Sequence, residues 1–307
     1  MPQKISNIHD KFVKEMLSDR GLAIAFLSNY LPEEVSNLLL FDSMHYESTS
    51  YLSKELKESF SDIVWSISTH SNSRVKICLL LEHKSYIEPN AAFQILEYMA
   101  LGYQKQLKNK QKVELILPIL YYHGQAKWVY RPIKSYFTEY DAVFQKYLPN
   151  HHTEFVDLAA MSEENIESLA NGLLRSTIML QKYYPDGEAL MSRVGLIMEN
   201  LLPYLESTMI HSIFVYILQN DYVDKKKLKQ TLAILPKNIN NNIMSIYDEL
   251  IQEGIEKGKL EGIEEGIEKT ILNAFANNID LNTIRLITGE PLEKINAVLL
   301  KNGISKA

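Results

Sequence analysis

The apolar residues of the first 122 positions follow helical and strand spacings in a regular order. Near-helical spacing opens the chain, and residues 75–81 form a near-continuous apolar run, which is typical of a strand buried on both faces. A polar turn at residues 70–73 separates that run from the strand before it. The predicted elements are a helix over 8–30, a short helix from Pro32, strands over 38–51, 59–68 and 75–81, a helix over 90–107 and a strand over 113–122.

The rest of the chain is predicted to be helical. Residues 150–245 keep helical spacing and carry no chemical motif, so we expect a helical extension packed on the core. Pro118 interrupts the last predicted strand, which indicates a sheet edge, a bulge or an early end. The expected organisation is an α/β domain over residues 1–150, a helical extension over 151–244 and a separate helical tail over 245–307.

The tail has a glycine at every fourth position. Each glycine within a helix costs about 0.8–1 kcal/mol relative to alanine, so something must offset that cost. Close approach of two helices at small residues is one offset, although the intervening charges exclude a membrane span. The tail is therefore either a self-association helix, giving a homodimer through residues 245–307, or an exposed and partly frayed linker. The glycines are Gly254, Gly258, Gly262 and Gly266. Two short helical patterns around Gly289 follow, and we expect them to form a hairpin that supports the dimer.

The composition is that of an ordinary soluble protein. Of 307 residues, 46% are hydrophobic and 23% are charged, which suffices for one substantial core and a smaller unit. Its one cysteine, Cys78, excludes an internal disulfide framework and a cysteine-rich zinc site. The N-terminal residues lack a long apolar segment, and residues 209–218 are too short to span a bilayer. We therefore expect a cytoplasmic protein without a membrane partner.

The formal net charge of −6 conceals an uneven distribution. Residues 1–150 carry 17 Lys and Arg against 16 Asp and Glu, so the acidic excess lies in the C-terminal half. Between Lys105 and Lys134, seven basic residues face only Glu114. A solvated helix end and loop would explain this stretch, and a local positive field for binding phosphate is the alternative.

Three charged residues are the best candidates for chemistry. Glu82 and Lys84 are two positions apart at the end of the buried strand, so both should project to one face. A hairpin turning at residues 70–74 brings Asp62 beside Glu82 or close to it. Mg²⁺ held by such carboxylates can activate water and neutralise phosphoryl charge. From the pattern alone, a metal site, a structural ion pair at the strand end and wrongly assigned strands all remain open.

Beside this pattern, residues 9–128 resemble the recombination-promoting nuclease, or putative transposase, family of the PD-(D/E)XK nuclease superfamily. The order and spacing of several short pieces carry the resemblance, and the glycine-rich tail is also similar to tails in this family. The pieces are His9-Asp10-Lys11-Phe12, Tyr30-Leu31-Pro32-Glu33-Glu34, Asp62 in SFSDIVW, Leu81-Glu82-His83-Lys84-Ser85, Phe93 to Met99, and Leu117-Pro118 through His123-Gly124 to Trp128.

The resemblance implies a restriction-endonuclease-like αβββαβ core and a magnesium-dependent DNA endonuclease, with Mn²⁺ or Ca²⁺ able to replace Mg²⁺. It assigns Asp62 and Glu82 as metal ligands and Lys84 as the catalytic lysine, although family members often carry Gln at that position. Gln94 lies where relatives commonly carry Arg, and it either approaches the metal or scissile phosphate or faces solvent. Glu15, an acid of the first helix, is a further candidate ligand. The competing function is a catalytically weak nuclease fold that binds DNA or regulates through a dimeric tail.

Overall fold

The computed structural model describes residues 8–48, 50–53, 56–58, 60–82, 87–233 and 237–304, with only the backbone described at 58, 60, 61, 82 and 237–242. The chain forms two compact units, Met1–Asn242 and Ile243–Ala307.

Helices and strands alternate in the first unit, and the second unit is helical. The helices are α1 Ile8–Ser18, α2 Arg20–Tyr30, α3 Glu33–Ser36, α4 Ala91–Lys108, α5 Glu163–Glu167, α6 Gly172–Tyr183, α7 Gly187–Leu201, α8 Met209–Leu218, α9 Lys225–Ala233, α10 Lys237–Ala276, α11 Leu281–Thr288 and α12 Leu292–Lys301. The strands are β1 Leu39–Glu47, β2 Phe60–Thr69, β3 Arg74–Glu82, β4 Leu115–Tyr122 and β5 Glu154–Asp157. Short 3-10 turns cover Leu56–Glu58, Ile133–Tyr136, Ala142–Tyr147 and Leu202–Tyr204.

The five strands form one mixed sheet in the order β1-β2-β3-β4-β5. The pairs β1–β2 and β2–β3 are antiparallel, whereas β3–β4 and β4–β5 are parallel. The predicted order of helix, three strands, helix and strand is confirmed, and so is the hairpin between β2 and β3.

Pro118 lies within β4 and does not end it. It is paired with Cys78 of β3, and in the described part of the chain the pairing with β5 begins only at Ile119. The first half of β4 is therefore a sheet edge on that side, where proline's missing N–H removes no ladder hydrogen bond. Of the three outcomes predicted for Pro118, the edge is the one observed.

Each face of the sheet packs against different helices. The indole N–H of Trp65 donates to the Leu17 carbonyl of α1 at 3.0 Å, so one face lies against α1. On the opposite face, Val64 and Cys78 belong to a buried apolar cluster with Tyr98 of α4. Because side chains alternate along a strand, every residue of β2 and β3 is assigned to one of these two faces.

Two sequence predictions need correction. The helix expected over 8–30 is two helices, because the Asp19 carboxylate accepts the Leu22 backbone N–H at 2.8 Å and starts a new helix there. The helical extension expected from residue 151 begins with a strand, β5, which completes the sheet beside β4. A strand of four residues is too short to show a period in the sequence. The boundaries at 150 and 244 stay predictions.

The second unit contains the glycine-rich part of α10 and the helix pair α11–α12. The predicted pair of short helices is confirmed, and Gly289 ends α11 with a left-handed φ of 73°, a conformation that favours glycine. A buried cluster joins α10 to the pair through Ile271, Ile284 and Ile295. Among the described residues, no helix combines the length and apolar character that crossing a bilayer requires.

Candidate active site

Asp62 is a buried carboxylate in the middle of the sheet. It lies on β2 with 7% of its surface exposed, on the face covered by α4. Its Oδ2 accepts two hydrogen bonds, from the Tyr51 backbone N–H at 2.9 Å and from the Tyr98 hydroxyl at 3.0 Å. Its Oδ1 accepts none from the residues that the structure describes. Hydrogen bonds from two described residues therefore hold Oδ2 in place.

The strand register places Asp62 and Glu82 on the same face. Asp62 is paired with Leu80, and Glu82 is paired with Phe60. The two acidic positions are therefore offset diagonally by two residues across an antiparallel pair, which separates their backbones by about 7–8 Å. Only the backbone of Glu82 is described, and Lys84 lies outside the described residues.

Helix α4 covers this face and carries Gln94. Gln94 precedes Tyr98 by four residues, so the two side chains lie on neighbouring turns of one helix face. The Gln94 Oε1 is buried and has no hydrogen-bond partner among the described residues. A buried carbonyl oxygen without a donor is unusual, and here it lies one helical turn from the residue that holds Asp62.

The phenol and thiol groups around Asp62 are neutral at ordinary pH. Burial, reinforced by Cys78 and Asp62, raises the pKa of Tyr98 well above its usual value. Burial likewise raises the pKa of Cys78 to about 12 and the pKa of Tyr51 above its ordinary range. Tyr98 therefore remains a hydrogen-bond donor to Asp62, and Cys78 is a buried thiol unsuited to act as a nucleophile.

The structure does not bring Glu15 to this group. Helix α1 contacts the face that carries Trp65, which is opposite to the face of Asp62. The Glu15 carboxylate accepts the Ser212 hydroxyl of α8 and borders a groove beside His211. Its position on the other side of the sheet makes α1 a poor source of a ligand for Asp62.

Tyr51 and Tyr98 were missed at the sequence level. Tyr98 had one available signal, its four-residue spacing from Gln94 on the predicted helix. Tyr51 had none, because it contributes its backbone N–H and any residue except proline could do the same.

The donor set at Asp62 is compatible with Mg²⁺. This ion is commonly held by one or two carboxylates, with waters and substrate phosphate completing its shell. The Asp62 Oδ1, which accepts no hydrogen bond from the described residues, and the Glu82 position on the same face fit that requirement. Within the described part of the chain, no cluster of three or more His, Cys, Asp or Glu side chains could hold a metal.

A basic groove adjoins the site through Tyr51. Lys105 donates to the Ser50 carbonyl at 2.9 Å, and its Nζ lies 5.9 Å from the centroid of the Tyr51 ring. Lys108 and Asn109 line the same groove at the end of α4. Neither lysine forms an ion pair with any described residue. Tyr51 thus contacts Asp62 with its backbone and the lysine groove with its ring.

Comparison with known proteins shows where the chain belongs. Residues 7–209 match the family described as "Putative transposase, YhgA-like". In Escherichia coli K12, the inactive recombination-promoting nuclease-like protein RpnE is 27% identical over 261 residues, which cover 84% of this chain and 86% of the relative. The recombination-promoting nuclease RpnA of the same strain is 26% identical over 259 residues, covering 81% and 85%. RpnD, a recombination-promoting nuclease of E. coli O157:H7, is 30% identical over 121 residues, covering 39% and 46%.

No solved structure matches the chain. The family match spans about two thirds of the sequence and includes the whole sheet with Asp62, Glu82 and Gln94. The chain therefore belongs to the YhgA-like putative transposase family.

Proposed function

We propose that this protein is a magnesium-dependent DNA endonuclease with a core of the PD-(D/E)XK type. The observation that carries the proposal is the placement of Asp62 and Glu82 at diagonal positions on one face of β2 and β3. The order of N-terminal helices, three strands, a helix and a strand agrees with such a core. The names of RpnA and RpnD add support, because both relatives are named as nucleases.

Each residue has a defined task in this proposal. Bound Mg²⁺ would supply an activated water and neutralise charge on the phosphate. Asp62 offers Oδ1 to the ion, while Tyr51 and Tyr98 keep its other oxygen fixed. Glu82 is the second ligand, and Lys84 orients the attacking water or neutralises the phosphate.

The surroundings of the site suit a phosphodiester in DNA. Tyr51 lines the groove that contains Lys105 and Lys108, and its backbone N–H donates to Asp62. The two lysine ammonium groups have no ion-pair partner among the described residues. The negatively charged phosphates of a DNA backbone can serve as partners for these two lysines. Gln94, whose Oε1 is buried without a donor among the described residues, would be able to accept a hydrogen bond from a water held by Mg²⁺.

Nicking of supercoiled plasmid with Mg²⁺ and with EDTA tests the proposal. Asp62→Asn and Glu82→Gln should each lower the nicking rate by about 100-fold or more, since each removes a charged ligand worth several kcal/mol to the transition state. Asp42→Asn is the matched control, because Asp42 is an exposed carboxylate on the neighbouring strand β1. That variant should nick as the wild type does.

A third variant, Lys84→Gln, separates binding from turnover. It should retain Mg²⁺ binding, measured by calorimetry, while it slows cleavage. Wild-type rates in both carboxylate variants would show that the site lies elsewhere.

A second candidate function is a nuclease fold that binds DNA or regulates a partner without turnover. One relative that covers most of this chain is named as inactive, so loss of activity occurs among its relatives. The two functions differ in one result. A wild-type protein that retards DNA in EDTA but leaves plasmid intact in Mg²⁺, Mn²⁺ and Ca²⁺ would favour the binding module.

A further inference from the structure

The segment 127–147 is rich in aromatic rings, and three of them are exposed. Seven of its 21 residues are aromatic, against 10% for the whole chain. Tyr140, Phe144 and Tyr147 are 60%, 51% and 73% exposed, and Val143 beside them is also exposed. Several large apolar groups exposed close together in the chain indicate a binding surface, because exposing them to water brings a solvated loop no stability.

The segment is anchored firmly at its start. Trp128 and Ile133 are buried, and the Trp128 ring packs edge-on against Tyr122 of β4 with centroids 4.9 Å apart. Further along, the 3-10 turn Ala142–Tyr147 begins with the Phe144 N–H donating to the Asp141 carbonyl at 2.9 Å. The exposed rings are therefore presented by an ordered backbone.

The same segment adjoins the start of α4 and thus the proposed cleavage site. The Tyr136 ring packs edge-on against Phe93 with centroids 5.0 Å apart, and its hydroxyl donates to the Pro89 carbonyl. Phe137 also contacts Phe93, and it continues the ring series to Tyr140 at 5.9 Å. Phe93 is the residue immediately before Gln94, so the ring series from Phe93 to Tyr140 begins beside the candidate site.

Cations are interleaved with these rings. The segment has four basic residues, namely Lys127, Arg131, Lys134 and Lys146, against two acids, Glu139 and Asp141. The Arg131 guanidinium lies 4.4 Å from the Tyr136 ring centroid, and the Lys146 ammonium lies 5.1 Å from that of Tyr147. Positive charges therefore lie directly beside two of the rings of this segment.

We infer that the segment 127–147 is a platform for single-stranded nucleic acid. Unpaired bases would stack on Tyr140, Phe144 and Tyr147, while the adjoining cations contact the phosphates. A duplex keeps its bases inside its stack, so it cannot use the rings in this way. This inference rests on the proposed nuclease function, because the platform would present an unpaired strand to the neighbouring cleavage site.

The test is fluorescence anisotropy with a labelled oligothymidine and a labelled duplex of equal length, in EDTA so that no cleavage occurs. Tyr140→Ala, Phe144→Ala and Tyr147→Ala should each weaken binding of the single strand by about 5- to 150-fold, the range for loss of one stacked base. Duplex affinity should change little. The slope of affinity against salt should also stay constant, because no charge is removed.

Two control variants distinguish stacking on these rings from a general effect of removing an exposed side chain. Tyr222→Ala removes another exposed tyrosine of the same unit and should leave both affinities unchanged. Tyr140→Phe retains a ring and should bind the oligothymidine as the wild type does. Thermal melts of all variants should match, because the substituted side chains are exposed.

Each contrary outcome has a distinct meaning. Alanine variants that bind oligothymidine like the wild type would overturn the platform, and so would a change of oligomeric state with unaltered DNA binding, which would indicate a protein contact. A wild type that nicks plasmid but does not bind the oligothymidine would overturn the platform and leave the nuclease proposal standing. Failure of both nicking and binding would overturn both proposals.

Discussion

Asp62 is a buried carboxylate whose two oxygens differ in the hydrogen bonds that they accept from the described residues. Its Oδ2 is satisfied by a backbone N–H and a neutral phenol, while its Oδ1 accepts no bond from the described residues. Burying an acid in an apolar cluster is costly unless both oxygens gain partners. The incomplete hydrogen bonding, together with the buried oxygen of Gln94, distinguishes this position from an ordinary structural acid.

His9 is the residue whose ionisation should make stability depend on pH. Burial, followed by the nearby charge of His123, lowers the pKa of His9 to about 4. Its Nδ1 is hydrogen-bonded to the Tyr216 hydroxyl at 2.6 Å, and its ring stacks on His123 with centroids 5.3 Å apart. The folded state therefore holds His9 neutral, whereas an unfolded chain protonates it near pH 6.5.

The sign of the effect follows from proton binding. Between pH 6.5 and pH 4 the unfolded chain binds a proton that the folded chain does not, so stability falls as pH decreases through that window. After allowance for the partial exposure of His9, the loss should be about 2 kcal/mol between pH 7 and pH 4.5. Urea unfolding at both pH values should show a smaller difference in His9→Asn. The exposed His70 provides the control, because His70→Asn should retain the full difference. An equal pH difference in wild type and His9→Asn would contradict the assignment.

Among the elements, strand β3 is tied to its surroundings by a buried lysine. The Lys76 ammonium lies 3.0 Å from the Glu47 carboxylate of β1 and 3.2 Å from the carboxylate of Glu114, just before β4. The Glu114 Oε2 is held by charge attraction to this ammonium at 3.2 Å and accepts no hydrogen bond from the described residues. One cation thus links residues from three parts of the sheet.

Removal of this cation should destabilise the fold. Lys76→Met preserves much of the apolar stem but leaves two partly buried carboxylates facing each other, which should cost about 3 kcal/mol in the free energy of unfolding. The triple variant Glu47→Gln, Lys76→Met and Glu114→Gln should recover much of the loss, because no buried charge is left unpaired and Arg74, which also pairs with Glu114, is exposed to solvent. Urea titrations measure both values. A Lys76→Met protein as stable as the wild type would show that the ion pairs contribute nothing.

For the molecule as a whole, the open question is how the glycine-rich helix is used. In α10 a Cβ added at Gly254, Gly258, Gly262 or Gly266 would meet nothing within 4 Å. Ile255 and Ile263, which lie between these glycines, are also exposed. We propose that a second copy of α10 covers this face and makes the protein a homodimer.

Bulk at the glycines should separate the proposed dimer. Gly258→Leu with Gly262→Leu raises helix propensity by about 1 kcal/mol per site, so a single-helix account expects a more stable protein. The dimer account expects dissociation, because leucine prevents the close approach of two helices. A four-residue period drifts by about 40° per repeat, so the contact should be a short crossing. Light scattering at micromolar concentration measures the mass.

The alanine pair at the same two positions is the control for that experiment. It raises helix propensity with little bulk and should remain dimeric. A leucine variant as dimeric as the wild type, or a wild type that is already monomeric, would rule out the interface.

Local patterns determined the order of the core elements. A continuous apolar run indicated β3, and near-helical spacing indicated α4, because burial on two faces or on one stripe imposes its own period on the residues. The acidic positions 62 and 82 could be selected because a charge within or next to a buried strand is costly unless it has a partner. The break at Asp19 and the strand β5 were not predicted, because a side-chain cap and a four-residue strand produce no periodic pattern of apolar residues.

Other features depended on contacts between residues distant in the chain. The register that sets Asp62 opposite Leu80 depends on the alignment of β2 with β3, and a shift of one residue would move every side chain of a strand to the other face of the sheet. The hydrogen bonds from Tyr51 and Tyr98 to Asp62, and the position of Glu15 on the other face, follow from where α4 and α1 pack. Periodicity identifies which residues of an element are buried, but the element against which they are buried is settled only when the helices close over the sheet.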